Sequence, residues 1–288
     1  MNLAVGFFDG VHLGHQRIIE RADAVLTFTN HPATVYAPER APNLLMTTEE
    51  RIRALAADGA RRVEAHEFTP ALAAQQPSDF ADSLRRDFPG LDTVFCGANW
   101  TFGAGGVGTP DFLRGMGFHV EVVPFESWRG ERISSTRIRA ALGEGDVAAA
   151  AAMLGRPYAV SGRIVPGKGE GRKLGFPTLN VAPALGDLPL ARGVYAVETP
   201  LGRGVANWGV APTMGDNAWK EPVLEVHLLS APPEPPPAAL SVSFAAFIRP
   251  ERTFAAIEEL KSQIASDCAT AKRLLRGGPQ KIGNDGIC

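Results

Sequence analysis

His12 and His15 stand three residues apart in GFFDGVHLGH, the string from Gly6 to His15, which follows an apolar run and opens a helical pattern. At that spacing both imidazoles can face one ligand within the first helical turn. Gly10 and Gly14 let the backbone approach it closely, and the free N–H groups of a helix start favour a phosphate. Either histidine alone reads as a surface residue, but the whole string reads as functional. ISSTRIR, from Ile133 to Arg139, places Ser134, Ser135 and Thr136 at another helix start, with Arg137 and Arg139 close behind. Hydroxyls, N–H groups and fixed positive charge suit a phosphate. Taken alone this is an ordinary N-cap; two such starts in one α/β domain suit a nucleotide.

The second half has its own candidate, GRIVPGKGEGRKLGFPTLN, from Gly162 to Asn180. Its five glycines, interleaved with Lys168, Arg172 and Lys173, can form a loop that cradles phosphate. In an extended PTLN segment Thr178 and Asn180 point to the same side. A hydroxyl and an amide oxygen side by side are reasonable ligands for Mg²⁺. Further on, Glu225 shares a strand face with His227, while Leu224, Val226 and Leu228 face the other way. An acid in that pattern is usually part of a solvated strand face.

The elements that must position these residues fall into two kinds. In the first half, Leu3 to Phe7, Ala24 to Phe28, Thr93 to Cys96 and Val120 to Pro124 read as strands, and a helix spans His12 to Arg21. Thr47 and Glu50 form a capping box before a helix carrying Ile52 and Leu55. Ser78 is expected to cap a helix that aligns Phe80, Leu84 and Phe88. Alternation of this kind predicts an α/β domain with a parallel, Rossmann-like sheet covered on both faces. Asp146 caps a helix to Leu154, with Gly155 at its end. From Tyr158 to Pro250 short strands separated by Gly- and Pro-rich turns predict a small antiparallel β-barrel. Ala231 to Pro237, APPEPPP, belongs in a surface loop. Phe254, Ile257, Leu260, Ile264, Cys268, Ala271 and Leu275 mark one closing C-terminal helix. The expected domains are 1–155 and 156–278, with a disordered tail over 279–288.

Composition narrows the function. The chain has 288 residues, 45% hydrophobic and 21% charged, which is globular. With 29 basic and 31 acidic side chains, the net charge of −2 gives no case for long nucleic acid or an anionic membrane as partner. Three scattered cysteines suggest neither a disulfide framework nor a zinc site. The opening residues do not resemble a signal peptide and no run suits a membrane span, so the cytoplasm is expected.

With TFTNHP (Thr27 to Pro32) and CGANWTFG (Cys96 to Gly103), the first half resembles the FAD synthetase module of the bacterial bifunctional riboflavin kinase/FAD synthetase family. The glycine-rich string, with GVYAV, NWGVAPT, LEVHLL and FIRPERTF, resembles that family's riboflavin kinase module. The resemblance implies phosphorylation of riboflavin to FMN and adenylylation of FMN to FAD, both with ATP and Mg²⁺. It implies that His12 and His15 bind the ATP phosphates, beside Gly6, Phe8, Asp9 and Gly10. Asn99 should lie at the reacting groups, Asn30 and Phe102 at the flavin, and Ser135, Thr136 and Arg139 at the triphosphate. In the kinase module it implies Glu225 as catalytic base, Thr178 and Asn180 on the metal, Gly167, Lys168, Gly169, Gly171 and Arg172 on ATP, and Phe176 and Arg249 at the flavin. A compact stretch from His15 to Thr27 and Asn99–Trp100 in place of an acid–Phe pair depart from the family. A kinase without adenylylation and a flavin-binding regulator are the rivals. Keeping a base and two metal ligands argues against the regulator. Two other motifs are set aside. Gly162 to Gly169 nearly spells a P-loop but ends on glycine, and the GxGxxG from Gly103 to Gly108 does not directly follow a strand.

Overall fold

The computed structural model describes residues 1–167, 169–209 and 223–276. Lys168, the second half of NWGVAPT and the expected tail lie outside these. The chain forms two compact units, the first from Met1 to Ser135 and the second beginning at Thr136.

The first unit is built on five parallel strands: β1 (Leu3–Val5), β2 (Ala24–Phe28), β3 (Arg62–His66), β4 (Thr93–Gly97) and β5 (His119–Val123). Their order is β3-β2-β1-β4-β5. Alternate residues bury opposite faces, as a strand's twofold period requires. Leu3, Val5, Val94 and Cys96 pack with Phe80, Leu84 and Phe88 on one face. Ala4, Val25 and Phe95 pack with Ile18, Ile19 and Leu55 on the other. Strand β3 was not anticipated from sequence. It is an edge strand carrying Arg62, Glu64 and His66, so it lacks an apolar run.

Helices α1 (Leu13–Ile19), α2 (Thr48–Ala57), α3 (Pro77–Asp87) and α4 (Pro110–Gly115) connect the strands. The capping box at α2 forms as expected: Glu50 N–H donates to Thr47 Oγ1, and Thr47 N–H to the Glu50 carboxylate. Ser78 does not cap α3. Gln76 takes the N-cap position and Pro77 opens the helix, where its missing N–H costs nothing. Helix α1 is shorter than expected at both ends: His12 is its N-cap, not its first turn, and Glu20 is its C-cap.

Two helices, α5 (Ser135–Gly143) and α6 (Val147–Leu154), precede the barrel. Asp146 caps α6 by accepting Ala149 N–H at 2.9 Å, and Gly155 ends it with φ of 75°. The barrel strands are β6 (Tyr158–Val165), β7 (Leu179–Pro183), β8 (Gly193–Thr199), β9 (Gly202–Gly209), β10 (Val223–Leu228) and β11 (Ala239–Pro250). They close antiparallel in the order β8-β9-β10-β7-β6-β11. Tyr195, Trp208, Leu224 and Phe244 are buried inside. Helix α7 (Ile257–Leu275) covers the outer face, with Cys268, Ala271 and Leu275 against Val194, Ala196 and Val205. Its first turn is not part of that core: Ile257 is 59% exposed.

Helix α6 packs on β6 and β11, with Val147, Ala150, Met153 and Leu154 buried. A fragment from Pro157 to Gly278 would therefore uncover barrel surface that a fragment from Thr136 keeps covered. Each large apolar side chain contributes roughly 1.5–3 kcal/mol when buried. The longer fragment is expected to melt higher in calorimetry; equal midpoints would mean that α6 adds nothing to the barrel.

Candidate functional sites

In the first sheet the chain leaves β1 toward β2 on one side and reaches β4 on the other, so the crevice between β1 and β4 is the topological switch point. Ligands of open α/β sheets bind outside the carboxyl ends of the strands at such a point. GFFDGVHLGH follows β1 and CGANWTFG spans the end of β4, so the two motifs meet there.

The turn after β1 is tightly built. Phe8, Gly10 and Val11 have φ of 57°, 80° and 42°. A β-branched residue in that region is a genuine outlier. The buried Asp9 carboxylate accepts Leu45 N–H at 3.0 and 3.2 Å. Its backbone carbonyl accepts the Ser135 hydroxyl at 2.9 Å, which brings the ISSTRIR helix start to the β1 turn. His12 is 6% exposed, and its Nδ1 accepts His15 N–H at 3.3 Å. A neutral imidazole accepting on Nδ1 carries its proton on Nε2, which makes Nε2–H a donor. The His12 and His15 rings stack at 3.6 Å, and Phe8 meets His15 edge-on at 5.2 Å. A Cβ at Gly14 would come within 3.3 Å of the His12 ring, so the helix backbone passes close to that imidazole.

Other expected contacts have different surroundings. Asn30 is engaged with the backbone: Nδ2 donates to the Phe68 carbonyl at 3.0 Å and Oδ1 accepts Phe68 N–H at 2.8 Å. Phe102 is 7% exposed, stacked on Trp100 at 4.8 Å and packed on Phe80 at 5.0 Å. Asn99, just before Trp100, is exposed. The GxGxxG loop is closed by paired backbone hydrogen bonds between Phe102 and Gly108, so it is a pinned loop and not a dinucleotide turn. Burial pushes the Cys96 thiol up to about 11 despite Arg114, which removes it as a nucleophile.

The second unit brings its candidates together on the outer face of the barrel. Asn180 on β7 pairs with Glu225 on β10, and Glu225 with Asn207 on β9, so three polar residues line up across three strands. Leu224, Val226 and Leu228 point inward and are buried, which leaves Glu225 and His227 facing out. His227 Nδ1–H donates to the Pro177 carbonyl at 2.8 Å, and its ring meets Phe176 at 5.4 Å. The imidazole thus anchors the residue before Thr178.

The glycine loop lies directly on the expected metal ligands. A Cβ at Gly167 would lie 2.0 Å from Asn180 Nδ2, and one at Gly171 would lie 3.2 Å from Thr178 Oγ1. Phe176 N–H donates to the Gly171 carbonyl at 2.8 Å, closing the loop. Burial, with a further contribution from Glu251, holds the Glu225 carboxyl above the usual carboxylate range. A Cβ at Gly209 would fall 1.6 Å from Glu251 Oε1, so that carboxylate occupies the space a side chain would need. Arg172 pairs with Glu234 at 3.3 Å on the surface. Arg249 is bound to buried Asp267 through Nε at 3.1 Å and Nη2 at 2.8 Å, and so ties α7 to β11. Among the described residues no cluster of three or more His, Cys, Asp or Glu could hold a metal ion. The available donors, a hydroxyl and an amide oxygen, are hard oxygens that suit Mg²⁺ together with substrate phosphates.

Residues 1–137 match the family described as FAD synthetase, and residues 154–275 the family described as riboflavin kinase. The chain is 35% identical to the bifunctional riboflavin kinase/FMN adenylyltransferase of Pseudomonas fluorescens, over 94% of this chain and 91% of the relative. Identity to the protein of the same name is 36% in Escherichia coli K12, with the same coverage. In Bacillus subtilis 168 it is 34%, again over 94% and 91%. A crystal structure of a Streptococcus pneumoniae protein named a macrolide-efflux protein is also similar. Its TM-score is 0.83 at 25% identity, covering 94% of this chain and 93% of that one. Among the described residues no helix is long and apolar enough to cross a membrane.

Proposed function

We propose how two sites divide the work in this chain, which belongs to the bifunctional riboflavin kinase/FMN adenylyltransferase family. The enzyme phosphorylates riboflavin to FMN and adenylylates FMN to FAD, with ATP as donor. The kinase residues lie within 156–278 and the adenylyltransferase residues within 1–155, and the enzyme works in the cytoplasm. What supports this division is that the β1 and β4 motifs leave neighbouring parallel strands, whereas Asn180, Glu225 and Asn207 pair across three strands of the barrel.

In the kinase site Glu225 takes the proton of the riboflavin 5′-hydroxyl as that oxygen attacks the γ-phosphorus. The new P–O bond forms while the bond to the β–γ bridging oxygen breaks, and ADP leaves. A carboxylate held above its usual range is a better base near neutral pH, and it needs no strong activator. Thr178 and Asn180 would hold Mg²⁺, which supplies charge neutralisation on the transferring phosphate. The backbone of Gly167, Gly169 and Gly171 borders the nucleotide with Arg172, a role the family resemblance also gives to Lys168, and Phe176 borders the flavin. Arg249, committed to Asp267, positions α7 beside it.

In the adenylyltransferase site an FMN phosphate oxygen attacks the α-phosphorus in line and pyrophosphate leaves. No covalent intermediate is needed, so orientation and charge stabilisation supply the rate. His12 Nε2–H and His15 face the phosphates, with Gly6, Phe8, Asp9 and Gly10 shaping the turn. Ser135 joins the β1 turn through the Asp9 carbonyl, and the family resemblance assigns Thr136 and Arg139 to the triphosphate. Asn99 stands at the reacting groups, and Asn30 and Phe102 stiffen the flavin side.

Asn180→Ala tests the metal assignment. The variant is expected to need more Mg²⁺ for half-maximal FMN formation and to bind Mg-ADP more weakly in calorimetric titration, with adenylylation of supplied FMN unchanged. An unchanged Mg²⁺ requirement and Mg-ADP affinity would remove Asn180 from the metal site.

A further inference from the structure

Arg51 on α2 is wholly buried, although the sequence around it, EERIR, has the character of a solvated helix face. Its Nη2 donates to the Phe28 carbonyl at the end of β2 and reaches Thr48 Oγ1 at 3.5 Å. The guanidinium carbon stands 4.2 Å from the centroid of the Phe7 ring. Nε and Nη1 have no hydrogen-bond partner among the described residues. Burial pushes the guanidinium pKa down, while the charges of Asp9 and then Glu49 oppose that shift.

Packing does not explain this residue. A buried cation with two unmet donors costs stability, and an apolar side chain of similar volume would hold α2 to the sheet at least as well. What Arg51 adds is positive charge beside the turn after β1. The guanidinium meets that turn at the Phe7 ring, and two residues further on Asp9 holds two other segments: Leu45 through its carboxylate and Ser135 through its carbonyl. The turn itself is costly, since the non-glycine residues Phe8 and Val11 have positive φ. Such a conformation persists only when its surroundings over-determine it.

We propose that Arg51 is a positioning residue for adenylyl transfer: its buried charge, set between the Phe7 ring and the Phe28 carbonyl, fixes the Phe7–Val11 turn, and with it Asp9 and Ser135, in the arrangement that receives the ATP triphosphate. The residue touches no substrate in this account. Its effect is on the orientation of the groups that do, and misplaced groups lose turnover steeply.

The test is Arg51→Met in the full chain, assayed separately for FMN and FAD formation and melted by calorimetry. Expected are a loss of at least roughly tenfold in kcat for FAD formation, unchanged FMN formation, and a melting midpoint of the first unit that is level or higher. FAD formation within about twofold of the parent overturns the proposal. If Arg51→Met is destabilised or does not fold, Arg51→Lys and Arg51→Gln decide. Lysine keeps the charge, and glutamine keeps a donor for the Phe28 carbonyl without it. The account expects FAD formation by the lysine variant to exceed that of the glutamine variant by at least roughly tenfold. Equal activities would make Arg51 a structural residue and overturn the proposal.

Discussion

Glu225→Gln stops the conversion of riboflavin to FMN while FAD continues to form from supplied FMN. The amide keeps the size of the side chain, and its place in the register between Asn180 and Asn207 is set by backbone pairing. It cannot accept the proton that the 5′-hydroxyl must lose. Loss of a general base costs about 10²- to 10⁴-fold in rate. Removing a buried carboxyl whose ionisation is disfavoured should not weaken the barrel, so the melting midpoint is expected to hold or rise. A fall in kcat of less than about tenfold would leave Glu225 as a strand residue beside the site.

His12→Asn produces the opposite division: FMN forms normally and FAD does not. Asparagine is the informative replacement because it is among the best N-cap residues. It can accept the His15 N–H that His12 Nδ1 accepts now, so α1 keeps its start. What disappears is the Nε2–H donor and the ring stacked on His15. Removing one preorganised donor from a site of developing negative charge costs about 10²- to 10³-fold. His12→Ala removes the donor and the cap together, and loss of a cap costs about 1 kcal/mol. A folded asparagine variant that still makes FAD at the parental rate would show His12 to be a cap and no more.

The features legible in the sequence are local ones. The capping box at Thr47 and Glu50, the Asp146 cap with Gly155, and the period-two pattern around Glu225 are set within a few residues of each other. The parallel domain followed by a barrel was legible because strand–helix alternation gives way to short strands between turns. Longer-range arrangements were not. That the Asn30 amide braces Phe68, 38 positions away, through both its oxygen and its nitrogen is not visible in TFTNHP. Arg249 finds Asp267, which no pattern in FIRPERTF announces. Asn207 belongs beside Glu225 only once the order β9-β10-β7 is known. His227 carried a faint signal in its two-residue offset from Glu225, but its bond to the Pro177 carbonyl depends on the loop closing over it. The edge strand β3 was hidden by its charges, and Arg51 by a neighbourhood that looks solvated.

The central claim is that two independent sites in one chain act in succession. Its most direct test supplies riboflavin and Mg-ATP to Glu225→Gln, to His12→Asn and to an equal mixture of the two, with the flavins separated and identified. The account predicts no new flavin from the first, FMN alone from the second, and FAD from the mixture, because FMN released by one variant is adenylylated by the other. A mixture that accumulates FMN without FAD, although Glu225→Gln is folded, would contradict it.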